Sequence, residues 1–143
     1  MRSNSLKKRV LFLCTHNSAR SQIAEALLKH FAGSSFEVKS AGISPRDVSP
    51  YAVKVLAEIG IDASGQRSKN LSRFAREKFD YVITVCADAE KSCPVFAGDC
   101  KRMHWPLEDP SLTKGNQNTV EEAFRRTLRE LKEFTINFID SAK

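Results

Sequence analysis

Hydrophobic and polar positions fall in blocks along this chain rather than alternating residue by residue. Val10-Leu11-Phe12-Leu13-Cys14 is a continuous apolar run of the kind that forms a strand buried on both faces. Ile23, Leu27, Leu28 and Phe31 then recur at helical spacing and stop at Gly33. Phe36–Ala41 predicts a second strand. Ser49-Pro50 opens a helix, with Ser as the cap and Pro in the first helical position. Ala52, Val55, Leu56 and Ile59 lie on one face of it, and Gly60 stands just past its end. Ser72–Phe79 predicts a short basic helix, Tyr81–Val85 a third strand and Arg102–Trp105 a fourth. A long helix runs from Thr119 to Asp140, with Val120, Phe124, Leu128, Leu131, Phe134 and Phe138 in one stripe.

Strands alternating with helices predict an α/β fold, a parallel sheet with helices on both faces. Ligands of such sheets sit beyond the carboxyl ends of the strands. Chemistry is therefore sought just after Leu13, after Val85 and after Trp105. The 143 residues make one domain, residues 1–143, with 1–8 expected as a flexible lead-in.

Composition narrows the classes. At 41% hydrophobic and 28% charged, the chain is neither disordered nor collagen-like. The apolar run at Val10–Cys14 is far short of the roughly 18 residues of a membrane span, and of the about 7–15 of a signal-peptide core. A cytoplasmic protein without a membrane segment is expected, and in a reducing compartment its four cysteines serve catalysis better than disulfides. The net charge of +6 is concentrated in Met1–Arg9 and Gln66–Phe79, each contributing +4, so the remainder is slightly acidic. Only Phe74 and Phe79 are interleaved with these basic residues. That pattern predicts a surface attractive to small anions and no nucleic-acid partner.

The first predicted strand runs straight into Cys14-Thr15-His16-Asn17-Ser18-Ala19-Arg20-Ser21 and then a helix. Five residues between cysteine and arginine let the loop curl until successive backbone N–H groups point inward, an anion nest closed by the helix N-terminus. Arg20 supplies a planar fork suited to two oxygens of a tetrahedral oxyanion. Cys14 lies at the floor of the same field, where a thiol pKa falls from about 8.5 into the roughly 3.5–7.5 range. Ser21 is placed to donate a hydrogen bond to the thiolate. Residues 15–21 thus bind the anion and Cys14 attacks it. His16 reads as a loop residue rather than a base, and Asn17 as a brace.

Cys86 follows the third strand, with Cys93-Pro94 seven positions on. Two further thiols beside an armed cysteine point to thiol redox chemistry, since hydrolysis needs only one. Zinc is the rival use of Cys86, Cys93, Cys100 and His104. Of their gaps of six, six and three residues, only the last falls within the spacing of about 2–4 typical of zinc ligand pairs. No metal site is expected, and Cys100 reads as packing. Asp109-Pro110 follows the fourth strand, where a carboxylic acid can protonate an oxygen leaving the tetrahedral centre; Glu108 is its nearest rival.

Together these motifs resemble the low-molecular-weight protein tyrosine phosphatase superfamily, and within it the thioredoxin-coupled arsenate reductases. The markers span the chain: Val10–Gln22, Ser40-Ala-Gly42, Gly60-Ile-Asp62, Ser64-Gly-Gln66, Tyr81–Cys86, Cys93-Pro94, His104-Trp105 and Asp109-Pro110. The loop and Asp-Pro are common to the superfamily, whereas the Cys86–Cys93 pair resembles the reductases alone. Phosphatases tend to carry a tyrosine after Asp-Pro, where this chain has Ser111. The resemblance implies a three-layer sandwich around a four-stranded parallel sheet of order 2-1-3-4. It also implies a relay in which Cys14 attacks arsenate, Cys86 attacks Cys14, and Cys93 attacks Cys86, with residues 86–93 moving during the handover.

Arg20 and the loop amides would hold the oxygens and Asp109 would protonate the departing one. Reducing equivalents would come from thioredoxin, with no bound cofactor, in a monomer; phosphate or sulfate would also fit the loop. A phosphatase acting through a Cys14 phosphoenzyme is the alternative. Some relatives bind potassium at positions matching Asn17, Glu25 and Ser40, but Lys69 stands where they have an aspartate.

Overall fold

The computed structural model describes residues 7–87, 89 and 100–142. Its elements run β1 (Lys8–Cys14), α1 (Arg20–Ala32), β2 (Phe36–Gly42), α2 (Pro50–Glu58), β3 (Tyr81–Thr84), β4 (Lys101–His104) and α3 (Gln117–Ser141). Short 3-10 turns at Leu71–Phe74 and Pro110–Leu112 lie between them. The four strands form one parallel sheet of order β2-β1-β3-β4, as expected.

Every residue of Val10–Cys14 is buried, because β1 is central and covered on both faces. The pleat divides the run. Phe12 points to the face where Trp105 lies 5.4 Å from it, ring to ring. Trp105 in turn stacks on Phe134 of α3 at 5.2 Å, and Phe36 and Tyr81 close on Phe138. The helical stripe of α3 is thus the lid on one face of the sheet. Arg9, Leu11 and Leu13 point the other way. There the Arg9 guanidinium sits 4.5 Å from the Phe79 ring centre, and Phe79 meets Phe74 edge to face.

Three boundaries differ from expectation. Lys8 belongs to β1, paired with Phe36, so the strand begins inside the segment expected to be flexible; residues 1–6 lie outside the described residues. The basic helix expected over 72–79 is only the 3-10 turn Leu71–Phe74. Too few residues were available there to offset helix nucleation. Burying both Phe74 and Phe79 instead requires an extended run into β3. β4 is Lys101–His104, one position earlier than Arg102–Trp105. Trp105 nonetheless continues its backbone pairing, donating its N–H to Thr84 O at 2.8 Å.

Gly60 takes φ 85° after α2, the left-handed position that favours glycine. Ser49 occupies the cap position without a side-chain cap bond; its N–H instead reaches Ser18 O at 2.9 Å. That contact already ties α2 to the loop after β1.

Candidate active site

The loop from Cys14 to Ala19 turns back between β1 and α1, and its carbonyls are all held from outside. Ile43 N–H donates to Cys14 O, Ser44 N–H to Thr15 O, Arg46 N–H to His16 O and Ser49 N–H to Ser18 O, at 2.8–3.3 Å. The Gln22 side chain donates to Asn17 O at 2.9 Å. With its carbonyls fastened outward, the loop turns N–H groups inward, as an anion nest requires. The His16 N–H is directed at the Cys14 sulfur.

Asn17 makes the curl. It is fully buried with φ 49°, a left-handed conformation that Asn tolerates better than most residues. Its Nδ2 donates to Ser21 Oγ at 2.8 Å and to Ser40 Oγ at 2.9 Å, and its Oδ1 accepts from Lys69 N at 2.9 Å. Asn17 is the brace expected. Ser21, expected beside the thiolate, accepts this amide bond. Ser18 Oγ donates to Asp47 O, and Ser68 Oγ to His16 O.

Arg20, the first residue of α1, is buried with its guanidinium facing the two other strand ends. Nη1 donates to Leu107 O at 3.2 Å and approaches Val85 O at 3.5 Å, and Nη2 lies 3.4 Å from Asp109 Oδ2. Asp109 caps the turn Pro110–Leu112, accepting from Ser111 N–H and Ser111 Oγ on Oδ1. Its other oxygen is left facing Arg20. Glu108 is exposed, so the structure separates the two acids.

Cys86 lies close enough to Cys14 for each sulfur to shift the other's titration. Thr15 Oγ1 lies 3.1 Å from Cys86 Sγ, and Ala89 N–H donates to the same sulfur at 3.4 Å. Both thiols are free and buried. The two thiols therefore titrate as a pair rather than as separate groups. The bond from Cys14 pulls Cys86 down to about 5, helped by Thr15, the Ala89 N–H and Arg20 against the cost of burial. The same contact with Cys86, together with burial, pushes the Cys14 thiol up despite Arg20 and the His16 N–H. A low value was expected on Cys14. The field is as anticipated: Arg20 and the His16 N–H both lower Cys14, against burial and its sulfur neighbour.

Cys93 lies outside the described residues, as does most of the 86–93 segment. Cys100 and His104 flank β4 at opposite ends, about 13 Å apart along a strand, so they do not converge. The potassium positions implied by the resemblance do meet, but do not fit an alkali cation. Ser40 Oγ donates to Glu25 Oε1, Lys29 Nζ lies 2.5 Å from Oε2, and Lys69 Nζ lies 3.9 Å from Oε1. Ammonium groups already occupy the carboxylate's field.

Two features escaped the sequence reading. The buried Gln22 and the half-buried Gln66 form an amide pair that fastens 66–67 to the loop, and no spacing signal announces it. Gly42 backs onto the loop so closely that a Cβ would meet Asn17 N at 2.8 Å. A glycine closing a strand beside a loop is the usual sign of close backbone approach.

An anion nest, a buried arginine and an acid set at the carboxyl ends of parallel strands define a phosphatase-type oxyanion site. The chain belongs to the low molecular weight phosphotyrosine protein phosphatase family, whose model matches residues 9–143. Within that family it is similar to proteins named arsenate reductases. That of Halalkalibacterium halodurans is 39% identical over 137 residues, 96% of this chain and 99% of the relative. A solved arsenate reductase in the phosphate binding state aligns with TM-score 0.77 and 32% identity, covering 95% of this chain and 99% of that one. The Corynebacterium glutamicum thioredoxin-dependent arsenate reductase aligns with TM-score 0.66 and 38% identity, over 92% of this chain and 63% of that chain. Among the described residues, no helix is long and apolar enough to cross a membrane.

Proposed function

We propose that this chain reduces arsenate to arsenite through three thiols, and that thioredoxin restores them. It does so as a cytoplasmic monomer with no resident metal or cofactor. The observation that carries this reading is the second sulfur. Cys86 lies against Cys14 beneath an anion cradle, held by Thr15 and the Ala89 N–H. A hydrolase acting through Cys14 alone has no use for it.

Arsenate, a tetrahedral oxyanion, faces the inward N–H groups of residues 15–21 and the Arg20 fork. Cys14 passes its proton to Cys86, and its sulfur forms a bond to arsenic. Asp109, in its acid form, protonates the oxygen that departs as water. Cys86 then loses its proton to solvent and attacks Cys14 Sγ. The S–S bond forms as the S–As bond breaks, and its electron pair stays on arsenic, which falls from As(V) to As(III) and leaves as arsenite. Cys93 attacks Cys86 Sγ and releases Cys14 as a thiolate. Two thiols have lost two electrons, and the Cys86–Cys93 disulfide is the oxidised product that thioredoxin reduces.

NADPH consumption with arsenate, supplied in turn with thioredoxin and its reductase or with glutathione and glutaredoxin, tests the donor; only the first should support turnover. Cys93→Ser should release at most one arsenite per chain and stop at a Cys14–Cys86 disulfide. Steady-state reduction by that variant would overturn the relay. Full p-nitrophenyl phosphate hydrolysis with no arsenate turnover would favour the phosphatase alternative.

A further inference from the structure

Behind the loop, away from Cys14, a carboxylate is buried. The Glu25 side chain is only 5% exposed, and an ionised carboxylate there is costly unless paired. It connects forward to the loop through two bonds. Ser40 Oγ donates to Glu25 Oε1 and accepts from Nδ2 of Asn17, the residue that sets the loop's curl. Whatever neutralises Glu25 therefore also bears on the shape of the anion cradle.

Two ammonium groups face it. Lys29, one turn along α1, is 48% exposed and pairs with Oε2, an ordinary surface pair in water. Lys69 is different. Its side chain is 14% exposed, it approaches the oxygen that Ser40 holds, and its Nζ is steadied by Arg67 O. Its backbone is fixed at both polar groups, the N–H to Asn17 Oδ1 and the carbonyl to the Gly42 N–H. One residue thus grips the loop's brace by its main chain and the brace's buried acid by its side chain. A groove of about 620 Å³, lined by Lys39, Arg67 and Arg73 and by the acids Glu37, Asp62 and Glu77, runs past Glu25 and its two lysines.

We propose that Lys69 is a positioning residue, a built-in counter-ion to the Glu25–Ser40–Asn17 chain that holds the anion loop in shape without any alkali cation. The proposal rests on the anion cradle of the proposed function, but not on arsenate reduction or the relay. Removing the ammonium leaves the inner oxygen of Glu25 facing a water-filled groove, where a free monovalent cation can take its place.

The test uses the full chain with inorganic phosphate as probe, in potassium chloride or choline chloride at equal ionic strength. Choline carries no N–H, and its methyl groups keep its charge from close contact with a carboxylate that is only 5% exposed. Wild-type phosphate affinity should agree within about twofold between the salts. Lys69→Ala should bind about tenfold more weakly in choline and regain affinity in potassium, while Lys69→Arg stays within about threefold of wild type in both. The melting temperature should follow: potassium raises that of Lys69→Ala by about 3 °C and leaves wild type unmoved. Lys69→Gln serves the same purpose should the alanine variant fold in neither salt. A wild type that already needs potassium, or a variant whose loss potassium does not relieve, would overturn the proposal. Failure of the wild type to bind phosphate at all would instead count against the cradle, and the melting comparison would still decide the role of Lys69.

Discussion

Gly42 and Asn17 are in backbone contact. A Cβ on Gly42 would stand 2.8 Å from Asn17 N and 2.9 Å from Thr15 O, closer than such atoms approach. Both neighbours are main-chain atoms of the anion loop, so no side chain can swing aside. The contact exists because Gly42 pairs with Cys14 at the end of the sheet, which places β2 directly beneath the loop. Gly42→Ala should therefore lower stability by about 1–3 kcal/mol through overpacking. It should also weaken phosphate binding, because the loop is what must shift. Urea unfolding and calorimetric titration of the same sample check both; unchanged phosphate affinity would mean that the loop absorbs the methyl group without moving its amides.

Thr15 holds the second sulfur rather than the first. Replacing its hydroxyl by a methyl in Thr15→Val keeps the shape and removes one donor to the Cys86 thiolate. Hydrogen bonds to charged groups contribute about 1.5–3 kcal/mol, so the Cys86 pKa should rise by about one to two units from its value near 5. Cys14→Ser should also raise it, since the Cys14 bond is the largest influence that lowers it. Cys86→Ser should act in the opposite direction on Cys14, removing the contact that pushes that thiol up. Thiolate absorbance near 240 nm, followed against pH, reads each case.

The lowered Cys86 thiol should also make stability depend on pH in a defined way. Cys86 titrates near 5 in the folded chain, below the ordinary thiol value of about 8.5. Its thiolate therefore stabilises the fold fully above about pH 8.5, and this contribution fades as pH falls and is gone below about 5. Cys14 is raised, so it acts only above the ordinary range, where the unfolded chain ionises and the folded one does not, and stability declines. Relative to the Cys14→Ser, Cys86→Ser double variant under reducing conditions, wild-type stability should climb from about pH 5 to about 8.5 and climb no further. A flat difference across that range would show that neither sulfur carries the charge in the folded protein.

The parts of this site that were legible in the sequence are those that local chain geometry dictates. Cys14, Arg20 and the loop between them follow from a buried strand meeting a helix, and Asp109 and Cys86 from their places after other strands. The rest depends on contacts between distant segments. Nothing in the order of residues says that Thr15, next to the nucleophile, faces a sulfur 71 positions away. Nor does spacing show that Gln22 meets Gln66. The fold was legible for the same reason, because apolar periodicity is local. It failed at 72–79, where the tertiary demand to bury Phe74 and Phe79 outweighed a short basic segment's weak helical preference.

Asp109 and Glu108 are neighbours in sequence, but only one of them is built into the site. Asp109 is held on Oδ1 by Ser111 and offers Oδ2 to Arg20, whereas Glu108 is exposed. The acid that protonates the departing oxygen should be the one that shares the oxyanion's own arginine. Asp109→Asn keeps the turn's accepting oxygen but removes the acidic proton, so turnover with arsenate and thioredoxin should fall by about 100- to 10,000-fold. Glu108→Gln should stay within about twofold, since surface substitutions away from such contacts change little. Rapid-quench measurement of the first arsenite released separates this step from later disulfide exchange. Were Asp109→Asn to release its first arsenite at the wild-type rate, the departing oxygen would be protonated from elsewhere, and Asp109 would serve only to set the angle of Arg20.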